Sequence, residues 1–459
     1  MWTSLRVLFG GIALPVLLLL LDVAQGFQDD ERLIGWKGET YHSKVCWGGV
    51  TQCYGVEPSS AKRVNKYPKP VSSQYVYQYR SDKSTPNRSA YTHMAMIEAL
   101  PNGTLLTVWQ AGVKNEGEND QHFMISRSLD PEGSSWSEPH RLNMVGGNGT
   151  AVWGPVLFAD VASGKLWLFY SESRGNCHSN FMDWPPGGDI KGVTMDMKSG
   201  LWGAPKLLSS QDDDEGIPKV TANKPCETAS GVWLLPFWRE RALLNKDSEA
   251  CKEFKGEGSA GVLRSIDRGM SWEAVGYIQH SATWLIENAI VETAKGSILM
   301  VFRTQVGKIF ASRSEDTGIT WGKAAALADL PNPNSKIDLI QLTPGKELAL
   351  VFNDHAKARS RAKDENTKEI NEKGCKKCRT KLSVALSTDN GLTWPRVGMV
   401  EGEVDSTLRI HYPTILQRGC KLLVAYSRFH KIPVSPSSSE YSNQGIKVAR
   451  MSLCRQQGE

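Results

Sequence analysis

The octapeptide Ser-Ile-Asp-Arg-Gly-Met-Ser-Trp occupies residues 265–272, and variants of it return as Ser-Glu-Asp-Thr-Gly-Ile-Thr-Trp at 314–321 and Ser-Thr-Asp-Asn-Gly-Leu-Thr-Trp at 387–394. A looser copy spans 128–136, and a decayed one begins at residue 194. In each copy the Asp can accept hydrogen bonds from backbone N–H groups ahead of it, the Gly can supply a positive φ, and the Trp can pin the turn. Recurrence at long intervals indicates a repeat architecture.

Between these turns, short apolar runs alternate with turn residues, as is typical of all-β proteins. A unit of strand, glycine-containing turn and second strand recurs six times. The glycines of the six turns are Gly103, Gly164, Gly231, Gly296, Gly345 and Gly419. Six such inner pairs fall within the range of about four to eight blades found in propellers. The sequence therefore predicts an all-β fold, a six-bladed β-propeller over residues 60–454.

The octapeptide is identified as the Asp-box of the sialidase (neuraminidase) superfamily. Similarity to an uncharacterised plant and bacterial branch of Asp-box proteins extends over about residues 90–449, and segments that carry it include 223–225, 330–338 and 412–417. The resemblance implies that each box closes the turn between the two outer strands of a blade, away from the active site. The boxes therefore predict the fold rather than the chemistry.

The first residues are typical of a secretory signal peptide. A basic start is followed by an apolar run at 7–21 and small residues up to Gly26, which predicts cleavage after residue 26. The run is short for a membrane-spanning helix, although an uncleaved anchor is the alternative. We expect a signal peptide at 1–26, an N-terminal extension at 27–60, and a secreted or lumenal protein with no transmembrane segment after signal removal.

Glycosylation sequons and cysteines agree with an oxidising compartment. Three sequons are present, at Asn87, Asn102 and Asn148. Nine cysteines predict disulfides and leave one thiol free or paired with another chain. The closest pairs are Cys46 with Cys53 and Cys375 with Cys378. The second pair could form half of a zinc site, but no further ligand pair follows it, so we expect a disulfide, no metal and no cofactor.

Charge is concentrated in one segment. The net charge is +5, and the window 355–381 contains ten Lys or Arg against four Asp or Glu. We interpret it as an exposed loop, either merely solvated or able to steer an acidic substrate towards the site. The signal peptide and the lack of any nucleic-acid motif argue against a nucleic-acid partner.

The resemblance also implies a catalytic set. Sialidases use a Tyr nucleophile, which is an exception among glycosidases, with a neighbouring Glu as base and an Asp as acid. Motif by motif, Tyr412, Glu287 and Asp120 match these roles, with Glu118 equally close to the last. A phenol of pKa near 10 needs such a base at neutral pH. We expect the Tyr412 hydroxyl to lie within hydrogen-bond reach of Glu287.

Substrate recognition in that superfamily uses three arginines, whose planar forks bind a carboxylate. Arg303 and Arg379 match two of them, but the family's Tyr-Arg-Ile-Pro is here Tyr-Thr-His-Met at 91–94, so His93 or Thr92 replaces the third. We therefore expect an acidic sugar other than ordinary sialic acid. Further polar side chains expected to bind substrate are Asn223, Lys224, Asn334 and Asp338.

Three functions fit these residues. The first is a glycoside hydrolase of exo-α-sialidase type acting on terminal acidic sugars. The second is a non-catalytic, lectin-like propeller that binds glycans. The third is a lyase of uronate polysaccharides, in which His93 or a Tyr is the base. Propellers host all three, so the fold does not decide among them.

Overall fold

In a computed structural model the chain divides into two units, Met1–His42 and Ser43–Glu459. The described residues, all in the second unit, are 43–44, 53–54, 70–79, 89–113, 116–146, 150–174, 187–241, 257–294, 296–343, 347–355, 379–402, 408–430 and 442–453. The predicted signal peptide, the sequons at Asn87 and Asn148, the Cys375–Cys378 pair and most of the basic window lie outside them.

Six antiparallel sheets form the six predicted blades. Before the first blade come β1 (Ser43–Lys44), which pairs with β2 (Cys53–Tyr54), and then β3 (Pro70–Gln78). Blade 1 contains β4 (Tyr91–Ala99), β5 (Leu105–Gly112), β6 (His122–Arg127) and β7 (His140–Arg141). Blade 2 contains β8 (Val152–Asp160), β9 (Lys165–Glu172), β10 (Asp189–Asp196) and β11 (Lys206–Ser209).

The inner edge of blade 3 is split between two short strands, which both pair with β14. The strands of blade 3 are β12 (Lys219–Thr221), β13 (Cys226–Glu227), β14 (Trp233–Arg241), β15 (Glu257–Ser265) and β16 (Glu273–Ile278). Blade 4 contains β17 (Ile286–Ala294), β18 (Ser297–Arg303), β19 (Gly307–Ser314) and β20 (Ala325–Asn332).

Blade 5 contains β21 (Asp338–Gln341), β22 (Leu348–Asn353), β23 (Lys381–Ser387) and β24 (Arg396–Gly402). Blade 6 is built from β25 (Leu408–Arg418), β26 (Lys421–His430), β27 (Ser442–Ser452) and β3. Contacts between the first strands of neighbouring blades make those strands the innermost. The described part otherwise has two 3-10 turns, Val161–Ser163 and Gln211–Asp214, and contains no helix able to cross a membrane.

The ends of the propeller meet in blade 6. Its outermost strand, β3, comes from the N-terminal side of the chain and pairs with the last strand, β27. No continuous turn joins those two strands, so blade 6 has no place for an Asp-box. This explains why five boxes accompany six blades.

Each Asp-box follows the third strand of its blade, as the resemblance implied. In the box at 314–321, Oδ1 of Asp316 accepts hydrogen bonds from the backbone nitrogens of Ile319 at 3.1 Å and Thr320 at 2.8 Å. The indole of Trp321 donates to the carbonyl of Gly318 at 3.0 Å. A Cβ at Gly318, whose φ is 82°, would lie 3.0 Å from Leu234 of the preceding blade. The glycine is therefore needed for both the turn and the blade contact.

One cysteine within the described residues is free. Cys226 lies in β13 on the inner edge of blade 3. Burial raises the pKa of its thiol to about 12, so the thiol stays protonated at neutral pH. Because the thiolate is the reactive form, this cysteine is chemically inert in the folded protein.

Candidate active site

Four of the innermost strands contain a bulge that re-aims one side chain. The pairing register of β4, β8, β17 and β25 shifts at a bulge. In each bulge one residue adopts a left-handed conformation: Met94 (φ 51°), Gly154 (58°), Glu287 (48°) and Tyr412 (54°). A bulge re-aims a side chain out of the regular pleat, and positive φ is uncommon for large residues. Two of the predicted catalytic residues therefore sit at the strained positions of their strands.

The glycine of this set has a steric reason of its own. A Cβ at Gly154 would lie 1.7 Å from the carbonyl oxygen of Thr221 in the next blade. Thr221 donates from its hydroxyl to the carbonyl of Gly154 at 2.9 Å, and Gln110 accepts the Gly154 N–H at 2.7 Å. The bulge of blade 2 is thus bonded to both neighbouring blades.

Arg303 joins the predicted nucleophile to the predicted base. Its Nη1 donates to Oε1 of Glu287 at 2.7 Å and to the hydroxyl of Tyr412 at 2.7 Å. The two oxygens share one nitrogen and so lie no farther apart than twice that distance. The sequence predicts that the Tyr412 hydroxyl lies within hydrogen-bond reach of Glu287, and in the structure a guanidinium bridges the two groups. Oε2 of Glu287 is buried and has no hydrogen-bond partner among the described residues.

The electrostatics of Tyr412 follow from this arrangement. Burial raises the pKa of its phenol to about 12, while Arg303 acts in the opposite direction and Glu287 adds to the rise. The phenol is therefore protonated at neutral pH. Because Arg303 donates to the phenolic oxygen, the phenol's own O–H remains available to an acceptor.

Arg379 and Arg303 are held by the same residue. The Oδ1 of Asn334 accepts Nε of Arg303 at 2.8 Å, and its backbone carbonyl accepts Nη2 of Arg379. Asn334 has a φ of 58°, which turns both acceptors towards the site. Both guanidinium carbons lie near the Tyr412 ring, at 5.7 Å for Arg303 and 5.6 Å for Arg379. The two predicted arginines thus face one phenol.

Two histidines pack beside that phenol. The centroid of the His93 ring lies 3.9 Å from that of Tyr412 and 4.8 Å from that of His411. Nδ1 of His411 lies 2.8 Å from Nη1 of Arg379. Burial lowers the pKa of both imidazoles well below the usual range. Nearby cations add to the shift of His93, and His93 and then nearby arginines add to that of His411. Both rings are therefore neutral.

A carboxyl that the sequence reasoning missed lies in the same site. Glu116, on the loop between β5 and β6, forms a hydrogen bond with Tyr91, and burial raises its pKa to about 7. It lies within electrostatic reach of Glu287, Arg303 and Arg379. Its only sequence signal is its place on the loop that also carries Glu118 and Asp120, the two carboxyls singled out from the sequence.

The predicted acid, Asp120, has a different set of contacts. Its Oδ2 accepts the backbone N–H of Val113 at 2.7 Å, and its carbonyl lies 2.7 Å from Nδ1 of His122. These bonds close the loop that carries Glu116. Neither partner is one of the groups gathered around Tyr412.

An aromatic wall adjoins Tyr412. Trp153, Trp238 and Trp284, from blades 2, 3 and 4, belong to one apolar cluster with it. The indole of Trp238 donates to Glu240 at 3.0 Å. Burial raises the pKa of Glu240 to about 7, and this carboxyl is within reach of the charge on Glu287. The site therefore has a second carboxyl of raised pKa besides Glu116, and this one lies beside the tryptophans.

Two of the remaining residues predicted to bind substrate, Asn223 and Lys224, have contacts of different kinds. Nδ2 of Asn223 donates to the carbonyls of Glu287 at 3.0 Å and Asn288 at 3.1 Å, which fixes the bulge of β17. Lys224 instead pairs with Glu98 at 2.9 Å. The described contacts thus connect Asn223, but not Lys224, to a residue proposed for catalysis.

A buried lysine, Lys336, supports the bulge of β25 that contains Tyr412. Lys336 is fully buried and donates to the carbonyl of Pro413, directly after Tyr412, at 2.7 Å. Asp338, also buried, accepts the N–H of Ile415 at 2.8 Å. Burial lowers the pKa of Lys336 and raises that of Asp338, while the charge of each opposes the shift of the other. Lys336 was not singled out from the sequence, because its role depends on contacts 77 residues away.

Several buried polar atoms at the site lack partners among the described residues. They are Oε2 of Glu287, Nε of Arg379, Nε2 of His411, Nε1 of Trp284 and Oδ1 of Asn223. Buried polar atoms are nearly always hydrogen-bonded, so a cluster of exceptions requires an explanation.

Six blades, five of them with Asp-box turns, define a sialidase-like β-propeller. The sequence profile of the BNR repeat-like domain matches residues 103–424, and the chain belongs to this family. No curated protein matches the chain significantly.

Solved structures share the fold at low sequence identity. A mutant of the NanB sialidase from Streptococcus pneumoniae matches with a TM-score of 0.59 and 14% identity, over 83% of this chain and 70% of that one. Trypanosoma rangeli sialidase in complex with sialic acid matches with 0.54 and 14%, over 85% and 57%. A Dyadobacter fermentans protein of unknown function matches with 0.57 and 14%, over 83% and 99%. At this identity the likeness establishes the fold alone.

Proposed function

We propose that this protein is a glycoside hydrolase that removes a terminal acidic sugar, with Tyr412 as nucleophile. The observation that carries the proposal is the shared donor, Nη1 of Arg303, between Tyr412 and Glu287. A guanidinium in this place stabilises the phenolate as it forms, while the unpartnered oxygen of Glu287 can accept the phenolic proton. A binding protein has no evident use for this arrangement.

The bond changes follow from that geometry. Tyr412 Oη attacks the anomeric carbon and passes its proton to Glu287, while an acid protonates the departing glycosidic oxygen. Water then attacks the same carbon and gives a proton to the acid that was deprotonated in the first step, the bond to Tyr412 breaks, and Glu287 returns the proton to the phenolate. This is the two-step route of retaining glycosidases, with a phenol in place of the usual carboxylate.

Glu116 is the acid that the geometry favours. Its pKa of about 7 keeps much of this carboxyl protonated near neutral pH, and its hydrogen bond to Tyr91 holds it beside the other groups of the site. Asp120 is the acid expected from the sequence, but its contacts are with the loop backbone. We therefore propose Glu116 for proton donation and keep Asp120 as the alternative to be tested beside it.

The two guanidiniums support an acidic substrate. Arg303 and Arg379 both lie within 6 Å of the Tyr412 ring, so a carboxylate attached to the reacting carbon would meet both. Guanidinium forks match carboxylates in geometry as well as charge. Terminal acidic sugars are therefore the proposed substrate class, with His93 and Asn334 lining the same site.

The test is a panel of fluorogenic acidic glycosides that includes sialic acid, its deaminated relative, and uronic acids. Wild-type protein should release the fluorophore from at least one, and Tyr412→Phe should lose about three or more orders of magnitude in kcat. Tyr277→Phe is the matched control, because that tyrosine is exposed on the outer strand β16. Turnover by Tyr412→Phe at the wild-type rate would reject Tyr412 as nucleophile.

Two other outcomes identify the alternative functions. Binding of acidic glycans without turnover, equal in wild type and Tyr412→Phe, would favour a lectin-like propeller. Release of an unsaturated uronate, seen by its ultraviolet absorbance, would favour a lyase. His93 packed on Tyr412 is the observation that makes the lyase worth testing, since a neutral imidazole can act as a base.

We also propose that the protein enters the secretory pathway and loses residues 1–26. The proposal rests on the basic start, the apolar run and the small residues of the N-terminal sequence. N-terminal sequencing of protein from a secreting culture should begin at Phe27. Full-length chain in a cytosolic fraction would contradict this.

A further inference from the structure

Several positive groups surround the two neutral imidazoles of the candidate site. The cations that act on His93 are Arg379, Arg303 and Lys336. The other titratable groups around this ring are Tyr91 on its own strand, Tyr412 and His411 on β25, Glu287 on β17, and Glu116, which is bonded to Tyr91. An anion that binds between Arg303 and Arg379 changes the electrostatic potential at each of these titratable groups.

His411 cannot be the group that responds. An arginine only donates hydrogen bonds, so Nδ1 of His411 accepts from Nη1 of Arg379 at 2.8 Å and carries no proton. The proton of the neutral ring is therefore on Nε2, which is buried and has no partner among the described residues. Protonating Nδ1 would break the bond that holds Arg379.

His93 has no such constraint. Neither of its ring nitrogens forms a hydrogen bond within the part of the chain that the structure describes, and its ring packs only on aromatic neighbours. It can therefore accept a proton without losing a bond. Since His93 and His411 are 4.8 Å apart, a second imidazolium beside it is disfavoured, and at most one of the pair is charged.

We infer that His93 takes up one proton from solvent when a carboxylate binds between Arg303 and Arg379, so that the site gains its additional positive charge only together with the anion. The inference rests on the proposed acidic substrate but not on turnover. Burial first, and then the nearby cations, lowers the pKa of His93. The ligand's negative charge compensates the cations and gives the imidazolium a partner, and the imidazolium then adds to the attraction. Binding and proton uptake are reciprocal.

The sign of the pH effect follows from that linkage. The bound form holds one proton more than the free form, so affinity for the carboxylate rises as pH falls. The rise is at most about tenfold per pH unit, because one proton is linked. His93 thus makes the site selective for anions under mildly acidic conditions.

Isothermal titration calorimetry tests this directly. Sialic acid and glucuronic acid are each titrated into wild-type protein at about pH 6.5, in two buffers of different ionisation enthalpy. The difference in heat gives the protons taken up, and we expect a value approaching one per ligand. The methyl ester of the same sugar carries no charge, and any of it that binds should take up none.

Two variants and a control complete the test. His93→Gln should bind the acid with about one proton fewer taken up than the wild type and with a correspondingly weaker pH dependence. His93→Arg, which is permanently charged, should bind more tightly at neutral pH and show the same reduction in uptake. His140→Gln, at an exposed histidine of β7, should behave as wild type.

The outcomes separate this inference from the proposed function. Acid binding with equal heats in both buffers, or with the same proton uptake in His93→Gln, overturns the role of His93 alone. Failure of every acidic sugar to bind the wild type overturns the acidic-sugar site, and the inference with it.

Discussion

The hydroxyl of Tyr412 lies 2.7 Å from Nη1 of Arg303, across 109 residues of sequence. The same nitrogen donates to Glu287 at 2.7 Å. Burial works against the charge of Arg303, but Glu287 raises its pKa above the usual value. The guanidinium is therefore a permanent charge that links nucleophile and base, and the predictions below start from it.

Arg303→Lys should lower both binding and turnover. A lysine carries the charge but cannot reach Glu287, Tyr412 and Asn334 with a rigid fork. We expect a rise in KM of about tenfold to a hundredfold, from the loss of about 1.5–3 kcal/mol in charged hydrogen bonds, and a further fall in kcat. Steady-state kinetics on the best panel substrate provides the measurement. Arg127→Lys, at the exposed end of β6, is the control, and equal kinetics in the two variants would contradict the bridging role.

Glu116→Gln should remove the basic limb of the pH–rate profile. The acid works when protonated, and its pKa is about 7, so wild-type activity should fall as pH rises through about 7. The glutamine variant should lose about 10²- to 10⁴-fold in kcat on sugars with poor leaving groups, and far less on activated fluorogenic ones. The same profile with Asp120→Asn decides between the two carboxyls. If Asp120→Asn alone shows the leaving-group effect, Glu116 is not the acid.

Asn334→Gly separates the two contacts of this residue. Glycine tolerates the φ of 58° and keeps the backbone carbonyl that accepts from Arg379, but removes the oxygen that accepts from Arg303. We expect unchanged thermal stability within about 1 kcal/mol and a several-fold rise in KM. Calorimetry and kinetics on the same preparation test this. An unchanged KM would show that Arg303 keeps its place without Asn334.

Asp316→Asn should weaken the propeller in a pH-dependent way. Burial opposes the shift, but hydrogen bonds from Thr320 and Ser314 lower the Asp316 pKa to about 2. Because the folded pKa is depressed, the carboxylate stabilises the fold above about pH 4 and loses this effect as pH falls towards 2. We expect a cost of about 1 kcal/mol at neutral pH and a smaller one at acid pH.

Urea unfolding at several pH values measures that difference. Asp329→Asn is the control, because Asp329 is exposed on β20 in the same blade. A constant difference between Asp316→Asn and wild type from neutral to acid pH would contradict the assignment of the effect to the ionised Asp-box.

The sequence by itself determined the blades. Each Asp-box is closed by hydrogen bonds within a few residues, such as those of Asp316 with Ile319 and Thr320, and each inner pair is joined by a short glycine turn. Contacts of this range are encoded locally, so repeats reveal them. The count of six and the position of the boxes follow from these units, whereas the lack of a box in blade 6 follows from the pairing of β3 with β27.

Only the tertiary structure decided how the site is assembled. Tyr412, Arg303 and Arg379 come from different blades, and their contacts depend on bulges whose left-handed residues no local pattern marked. Resemblance supplied those residues, but it could not choose Glu116 among three loop carboxyls. That choice depends on Tyr91, on burial and on the field of two arginines. Burial and electrostatic fields exist only in the folded protein, so the protonation states of Glu116 and His93 could not be read from the sequence.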